Sequence, residues 1–419
     1  MRLTIFQSNK GDCLLLSSGT AKKPVHVLVD GGMGISYRDH VAGDIAKLPH
    51  LDRVYVSHVD QDHIAGVLQL IDDAFEWRVY EMRKNRNPPP PKPERDKPPK
   101  IRGIWHNAFF DDPKRNAGDI EDMLIASAHV ASASDDDDVR ADAIRNEQYA
   151  TSISEALQLS SRIGIRQLQL KVNEGTSKMM MAREEQAPIR VGPMKFTILG
   201  PFEEDLELLR KAWDKWLRSV KGQTAVKRLR TQSLADAKSI MASSFEDLNE
   251  LMIEQARKLA GVTAPNHASL MMLVEEKGKR ILLTGDGVGD TILQGLERTG
   301  VLEQGASLHV DVLKVQHHGA AANVKAPFTD RVTADHYVFC GNGSDDNPEL
   351  PVVERLFKAR MKVAGNFQFW FNSHSRVTDE KNRPHMRALQ TKVQSLVRQS
   401  RGRLAAHFLQ ESSFPPLEI

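Results

Sequence analysis

Cysteine is almost absent from this sequence. Its 419 residues contain only Cys13 and Cys340, too few and too far apart for a disulfide framework or a cysteine-rich zinc site. Long apolar runs are missing too. Nowhere do the roughly 18 consecutive apolar residues of a membrane-crossing helix occur, and the opening MRLTIFQSNKGDCLLL has no basic segment ahead of an extended apolar one. A cytoplasmic protein with no membrane partner is therefore expected. Charge of one sign is lacking as well: 57 Lys and Arg stand against 55 Asp and Glu, a net +2, which excludes a globally basic coat for nucleic acid. What remains, 40% hydrophobic and 27% charged residues, can bury a large core in one elaborated domain or two ordinary ones.

Charge is instead concentrated locally. Between Arg83 and Arg102 eight Lys or Arg face only Glu94 and Asp96, an excess of six positive charges, and an acidic run from Asp135 to Asp138 follows. Such a tract can hold phosphates. Its prolines, crowded between Asn87 and Pro99, equally suit a solvated extended loop that can join neither a central sheet nor a helix. Two insertions are expected, one over about 83–147 and a helical one over about 203–260, rich in Lys, Arg, Glu, Leu and Ala. Either could dock a protein partner.

Around these insertions strands dominate. Leu3 to Phe6 and Cys13 to Ser17 suit a hairpin, and His26 to Gly32 and Arg53 to His58 read as strands. After His63 the apolar residues Ile64, Val67, Leu68 and Ile71 recur at helical spacing. A helix is expected near 148–163 and strands within Ile189 to Pro201. Ser269 to Glu276 and Arg280 to Asp286 form a second hairpin about Lys277 and Gly278, with a helix near Thr291 to Glu297. Asp311 to Gly319, His336 to Gly343 and Phe367 to Asn372 follow as strands, and Met386 to Val397 as a helix. The pattern predicts an α/β (α+β) fold, a two-sheet sandwich and not a simple parallel βαβ order. The expected domain covers 1–375, with 376–419 as a C-terminal helical extension.

Chemistry gathers in SHVDQDH, where His58, Asp60, Asp62 and His63 fall within six residues between a strand and a helix. Imidazole nitrogens and carboxylate oxygens on one tight loop converge on a divalent ion without long side-chain reach. Two further acids and a histidine pair end later strands: Asp30 in LVDGG, Asp286 in LLTGD, and His317 and His318 in HHG. Each has a plainer reading. Asp286 could cap the next helix, either histidine could hold a ligand in place, and Asp30 suits a structural role better than ligation.

The order HxDxDH, GD and LKVxHHG resembles the metallo-β-lactamase fold hydrolases. Asp60, where the commoner pattern has a second histidine, makes the chain similar to the hydrolase domain of bacterial competence DNA-internalisation proteins and their soluble relatives. FQSNKGDCLLL and NHASL resemble that branch's opening segment and its Asn-x-x-Ser-Leu strand start; Asn347 and Pro348 stand where it commonly has His-Pro. The resemblance spans roughly residues 1–375 outside the insertions. It implies an αββα sandwich and a two-ion centre: His58 and Asp60 serve one ion, Asp62 and His63 the other, and Asp286 bridges them. His317 ligates and His318 ligates or assists the leaving group, while Asp62 orients water and Asn266 and Lys314 meet substrate. The carboxylate share makes Mn²⁺ a rival to Zn²⁺. The implied activity is hydrolysis of a nucleic-acid phosphodiester by metal-activated water, whose pKa falls from near 16 towards about 7. Hydrolysis of a small ester, lactone or cyclic nucleotide, and a docking module within a larger complex, are the alternatives.

Overall fold

The computed structural model describes residues 1–58, 60–107, 168, 170–176, 179–205 and 268–419. The helix expected near 148–163, the acidic run 135–138, the helical insertion beyond residue 205 and Asn266 lie outside them. Seventeen strands are present among the described residues. Those of the N-terminal part are β1 (Arg2–Ile5), β2 (Leu14–Thr20), β3 (Lys23–Val29), β4 (His50–Leu51), β5 (Arg53–Tyr55), β6 (Lys100–Ile101), β7 (Gly103–Trp105) and β8 (Lys171–Val172). The remainder are β9 (Ile189–Val191), β10 (Met194–Gly200), β11 (Met271–Glu276), β12 (Lys279–Leu283), β13 (Leu308–Lys314), β14 (Val332–Phe339), β15 (Phe367–Phe371), β16 (Leu404–Phe408) and β17 (Leu417–Glu418). Five helices matter here: α1 (Gln61–Arg83), α2 (Gly289–Arg298), α3 (Ala326–Arg331), α4 (Leu350–Met361) and α5 (Arg383–Gln399).

The strands form a seven-stranded sheet in the order β17-β1-β2-β3-β5-β7-β8 and an eight-stranded sheet in the order β16-β15-β14-β13-β12-β11-β10-β9, with β4 and β6 paired apart. Apolar residues explain the stacking. Leu3, Leu14 and Val27 of the first sheet meet Phe196, Met272 and Val274 of the second in one buried cluster. The opposite face of the first sheet, with Leu28, Val54 and Ile104, takes Ile64, Val67 and Ile71 of α1. That of the second, with Leu273, Leu282 and Leu313, takes Ile292, Phe328, Val353 and Val393 from α2 to α5. Each sheet thus buries both faces, and helices lie outside.

The second hairpin turns where expected, because Lys277 and Gly278 both adopt positive φ as a tight two-residue turn between antiparallel strands requires. Two expectations need correction. From β12 to β16 the second sheet is parallel throughout, with α2 to α5 as successive crossovers, so sequential βαβ order exists within the sandwich. α3 has only six residues, too few to show a helical period. Nor is 376–419 simply a helical extension. α5 buries Met386, Leu389, Val393 and Leu396 in the main core, β16 pairs with β15, and β17 pairs with β1 of the other sheet.

The basic tract also changes character on folding. Arg95 pairs with Asp73 at 2.6 Å and Lys97 with Glu81 at 2.6 Å, both on α1, and Trp77 donates to the Arg95 carbonyl. Residues 103–105 then join the first sheet, so the insertion begins later than residue 83.

Arg360 closes α4 from inside the core. Its guanidinium donates to the carbonyls of Ala334, Val363, Ala364 and Asn366 and pairs with Asp335 at 3.0 Å, while the residue is 1% exposed. Arg360→Met strands these acceptors. It should cost about 3 kcal/mol, read as a lower urea midpoint at unchanged m-value. Arg360→Lys should recover only part, since an ammonium lacks the planar fork.

Candidate metal centre

The strand ends of both sheets meet at one place. His58 follows β5, Asp286 follows β12, and His317 and His318 follow β13, while Asp62 and His63 open α1. Backbone contacts hold these pieces in register. Gly31 donates to the His63 carbonyl at 2.8 Å and Gly66 to the Gly32 carbonyl at 3.0 Å, so the LVDGG turn lies directly on the first turns of α1. A Cβ on Gly66 would stand 2.0 Å from the Gly31 oxygen. Across the sheets, Leu270 donates to the Ser57 carbonyl at 2.7 Å, and the Tyr55 hydroxyl donates to the Leu270 carbonyl.

Four imidazoles surround Asp286 and all present the same nitrogen. Nε2 of His58, His63, His317 and His318 lies 3.7, 3.3, 3.6 and 3.4 Å from the Asp286 carboxylate. Their Nδ1 atoms face outward, and Ser57 Oγ lies near two of them, those of His58 and His63. His58 meets Ser57 Oγ at 3.1 Å, His63 meets Asp30 Oδ2 at 2.9 Å, His317 meets Asn323 Oδ1 at 2.9 Å, and His318 faces Asp12 Oδ1 at 3.4 Å. Outer partners of this kind fix the tautomer and aim the inner nitrogen, as around protein-bound metals. Asp30 does this by accepting also from the Ser57 amide and hydroxyl, both at 2.7 Å.

Two more carboxylates complete the inner ring. Asp62 Oδ2 lies 3.2 Å from His318 Nε2, and Asp60 Oδ2 lies 3.5 Å from His58 Nε2. Among the described residues, Nε2 of His58, His63 and His318 and Oδ1 of Asp286 are buried without a hydrogen-bond partner, as are His318 Nδ1 and Asp12 Oδ1 where they face each other. Each such group costs about 1–3 kcal/mol if left so, and a shared cation would satisfy the inner four at once. Ligand atoms of His58, His63 and Asp286 all lie within 4.8 Å of one another, as do those of Asp12, His63 and His318. Since Asp30 engages His63 Nδ1, the first trio offers the better ligand set, and Asp12 serves better as the outer partner of His318.

Charge explains the same arrangement. Burial alone would strip the protons from His63 and His318. Asp286, Asp12 and Asp30 around the first, and Asp286, Asp12 and Asp62 around the second, outweigh it and hold both imidazoles well above the ordinary histidine range. Burial would likewise raise Asp62 and Asp286, but His318 and His63 hold both carboxyls well below theirs. The pocket favours positive charge, carried in the chain alone by protons.

Every histidine and acid expected at the centre is there, but Lys314 is placed differently from expectation, and other residues take part that had no role expected from sequence. Lys314 does not reach outward to substrate. It is 1% exposed, and its ammonium bonds Asp12 Oδ2 at 2.5 Å and the Gly285 carbonyl at 2.8 Å. Asp12, given no role from sequence, stands inside the cluster; its signal was an acid after a glycine at the start of a buried strand. Gly11 is required there, because at φ +89° its Cα passes so close to α1 that a Cβ would fall 1.7 Å from the Asp62 carbonyl oxygen. Asn347 and Pro348 buttress the HHG turn from behind: a Cβ on Gly319 would touch Pro348, and Glu349 donates to the Gly319 carbonyl at 3.1 Å. Asp286 does not cap α2, whose N-cap is Val288.

His317 and His318 adopt left-handed backbone conformations, with φ of 44° and 55°. For residues with a Cβ this strain costs of order 1–3 kcal/mol each, as is common where function dictates side-chain direction. It turns two consecutive imidazoles to the same carboxylate.

No family model matches the chain, and no curated protein matches it. The centre is therefore read from its own geometry. Asp30→Asn should lower the affinity for a divalent ion about 10- to 100-fold, measured by equilibrium dialysis with Zn²⁺ or Mn²⁺, by freeing the His63 ring to turn.

Proposed function

We propose that the chain is a metal-dependent hydrolase of the metallo-β-lactamase fold, cleaving phosphodiesters in nucleic acid at the Asp286 centre. The observation that carries this reading is the shared orientation of the four histidines, each with Nε2 turned to one buried carboxylate and Nδ1 facing a second polar group. The helix–sheet–sheet–helix layering, and ligands placed just after strand ends or in the first turn of the helix that follows one, support the fold assignment.

His58, His63, His317, His318, Asp286, Asp60 and Asp62 would hold one or two ions, and with no thiolate among them both Zn²⁺ and Mn²⁺ suit the set. A bound ion of this kind lowers the pKa of water and neutralises charge on a phosphoryl oxygen. The chain's own groups do the rest. Asp60, Asp62 and His317, with side chains 31%, 17% and 31% exposed, mark the open side where substrate arrives. Asp62, within reach of His318 Nε2, orients the attacking water. His317, steadied by Asn323, faces the leaving oxygen. Lys314 keeps Asp12 ionised and so keeps the outer carboxylate of His318 in place.

Hydrolysis of a small diester is the second reading, because α1 partly neutralises the basic tract beside the site. Protein purified after growth with Zn²⁺ or Mn²⁺ should contain metal by elemental analysis, and Asp286→Asn should lose most of it. Asp62→Ala should cut turnover of bis-p-nitrophenyl phosphate at least a hundredfold. Cleavage of single-stranded DNA or RNA that chelator abolishes supports the polymer reading; cleavage of the small diester alone supports the second. A wild-type protein that takes up neither ion would overturn both.

A further inference from the structure

All five strands from β12 to β16 run parallel, so their C-terminal ends share one edge of the sandwich. Asp286 leaves β12 at this edge, the histidine pair β13, Asn342 β14, His374 β15 and Gln410 β16. Polar side chains tie the middle of this edge to the Asp12 turn on one side and to the start of α5 on the other. Asn342 donates to Asn9 beside the Asp12 turn, the Ser344 amide donates to Asn342 at 3.1 Å, and Asn382 donates to Ser344 Oγ at 2.9 Å. At the far end a groove of about 500 Å³ opens between α5 and the edge strand β16. Val393, Val397 and Phe408 form its floor, and Gln394, Arg398 and Gln410 its rim.

The surroundings of the groove are basic. Residues 374–403 contain eight Lys or Arg against Asp379 and Glu380. Five of the eight, Arg376, Lys381, Arg387, Arg398 and Arg401, are exposed, and none forms an ion pair with a described residue. Arg387, Gln390, Gln394 and Arg398 lie three, four and four residues apart, one stripe along α5 beside the groove. Guanidinium groups suit phosphates, glutamine amides suit base edges, and an apolar floor with an aromatic ring suits the face of a base.

We propose that this groove is a second binding site, for a single-stranded stretch of the nucleic acid cleaved at the Asp286 centre; it rests on the hydrolase reading above. Four strand spacings of about 4.8 Å separate β12 from β16, about 19 Å along the edge. A strand of about six nucleotides at a stacked rise of 3.4 Å covers that path. The groove therefore selects for length and single-strandedness, while the metal centre supplies the chemistry.

The test uses full-length protein and fluorescein-labelled oligo(dT) and oligo(U) of 4 and 15 nucleotides, with chelator present so that the strands survive. Affinity by anisotropy should be at least tenfold higher for the 15-mers than for the 4-mers. Arg376→Glu combined with Arg398→Glu should abolish that advantage and reduce the slope of log affinity against log salt by about 1.4. Both positions are exposed, and an unchanged melting temperature confirms folding. Turnover of bis-p-nitrophenyl phosphate with Mn²⁺ should stay within twofold of wild type. Equal 15-mer binding by the double variant overturns the proposal, as does a polyglutamate of matched charge that competes equally well. Failure of wild type to bind any 15-mer overturns it too, and turnover of the small diester then shows whether the hydrolase reading stands without it.

Discussion

Asp286 is a buried carboxylate ringed by four imidazoles that all point the same nitrogen at it, and most of the molecule can be understood as the support for that arrangement. A carboxylate 2% exposed is stable only when positive charge faces it closely. Each ring is aimed by what stands on its far side: Ser57, Asp30, Asn323 and Asp12 come from different stretches of chain. The Lys314 ammonium balances Asp12 from below, so the outer shell carries its own counter-charge. A centre of this kind is held by the convergence of two sheets, which explains why the Ser57–Leu270 and Tyr55–Leu270 bonds across them sit directly beneath it.

How much of this the sequence reveals depends on distance along the chain. SHVDQDH, LLTGD and HHG are visible because each compresses several polar groups into the residues just after an apolar strand, and strand ends are where parallel sheets place their chemistry. Asp12 is invisible by that measure. Its partners Lys314 and His318 lie some three hundred residues away, and only the pairing of sheets brings them together. Lys314 shows the converse: in LKVQHHG it reads as a cation presented with the histidines, but strand alternation turns it to the interior. Among the elements, the long α1 with its regular apolar spacing is plain, whereas the six-residue α3 has no period to detect. β16, LAAHF, lacks the alternation that marks a half-buried strand, and its place is decided by its neighbour β15.

The basic residues illustrate how folding redistributes a feature that composition alone suggests. The conspicuous run near residue 90 folds back on α1 and exchanges part of its charge with Asp73 and Glu81. A less crowded set between residues 374 and 403 keeps much of its charge open to solvent: Arg387 and Arg398 stand on the side of α5 turned from the core, and Arg376, Lys381 and Arg401 lie in the segments that flank it. Local density of charge in a sequence is thus a poor guide to the field outside the protein; what counts is which acids the fold brings within reach.

The pairing of β17 with β1 and the bond from the Gln7 amide to the Ser412 carbonyl tie the turn that carries Asp12 to residues made four hundred positions later. During synthesis on the ribosome the first hairpin can form early, but the support beneath that turn emerges only after β16 has closed the other sheet. The centre should consequently mature as a late, cooperative event, and a nascent chain halted before residue 412 would present its histidines on an unfinished scaffold. The four imidazoles would then converge on Asp286 only once the last strands have been made.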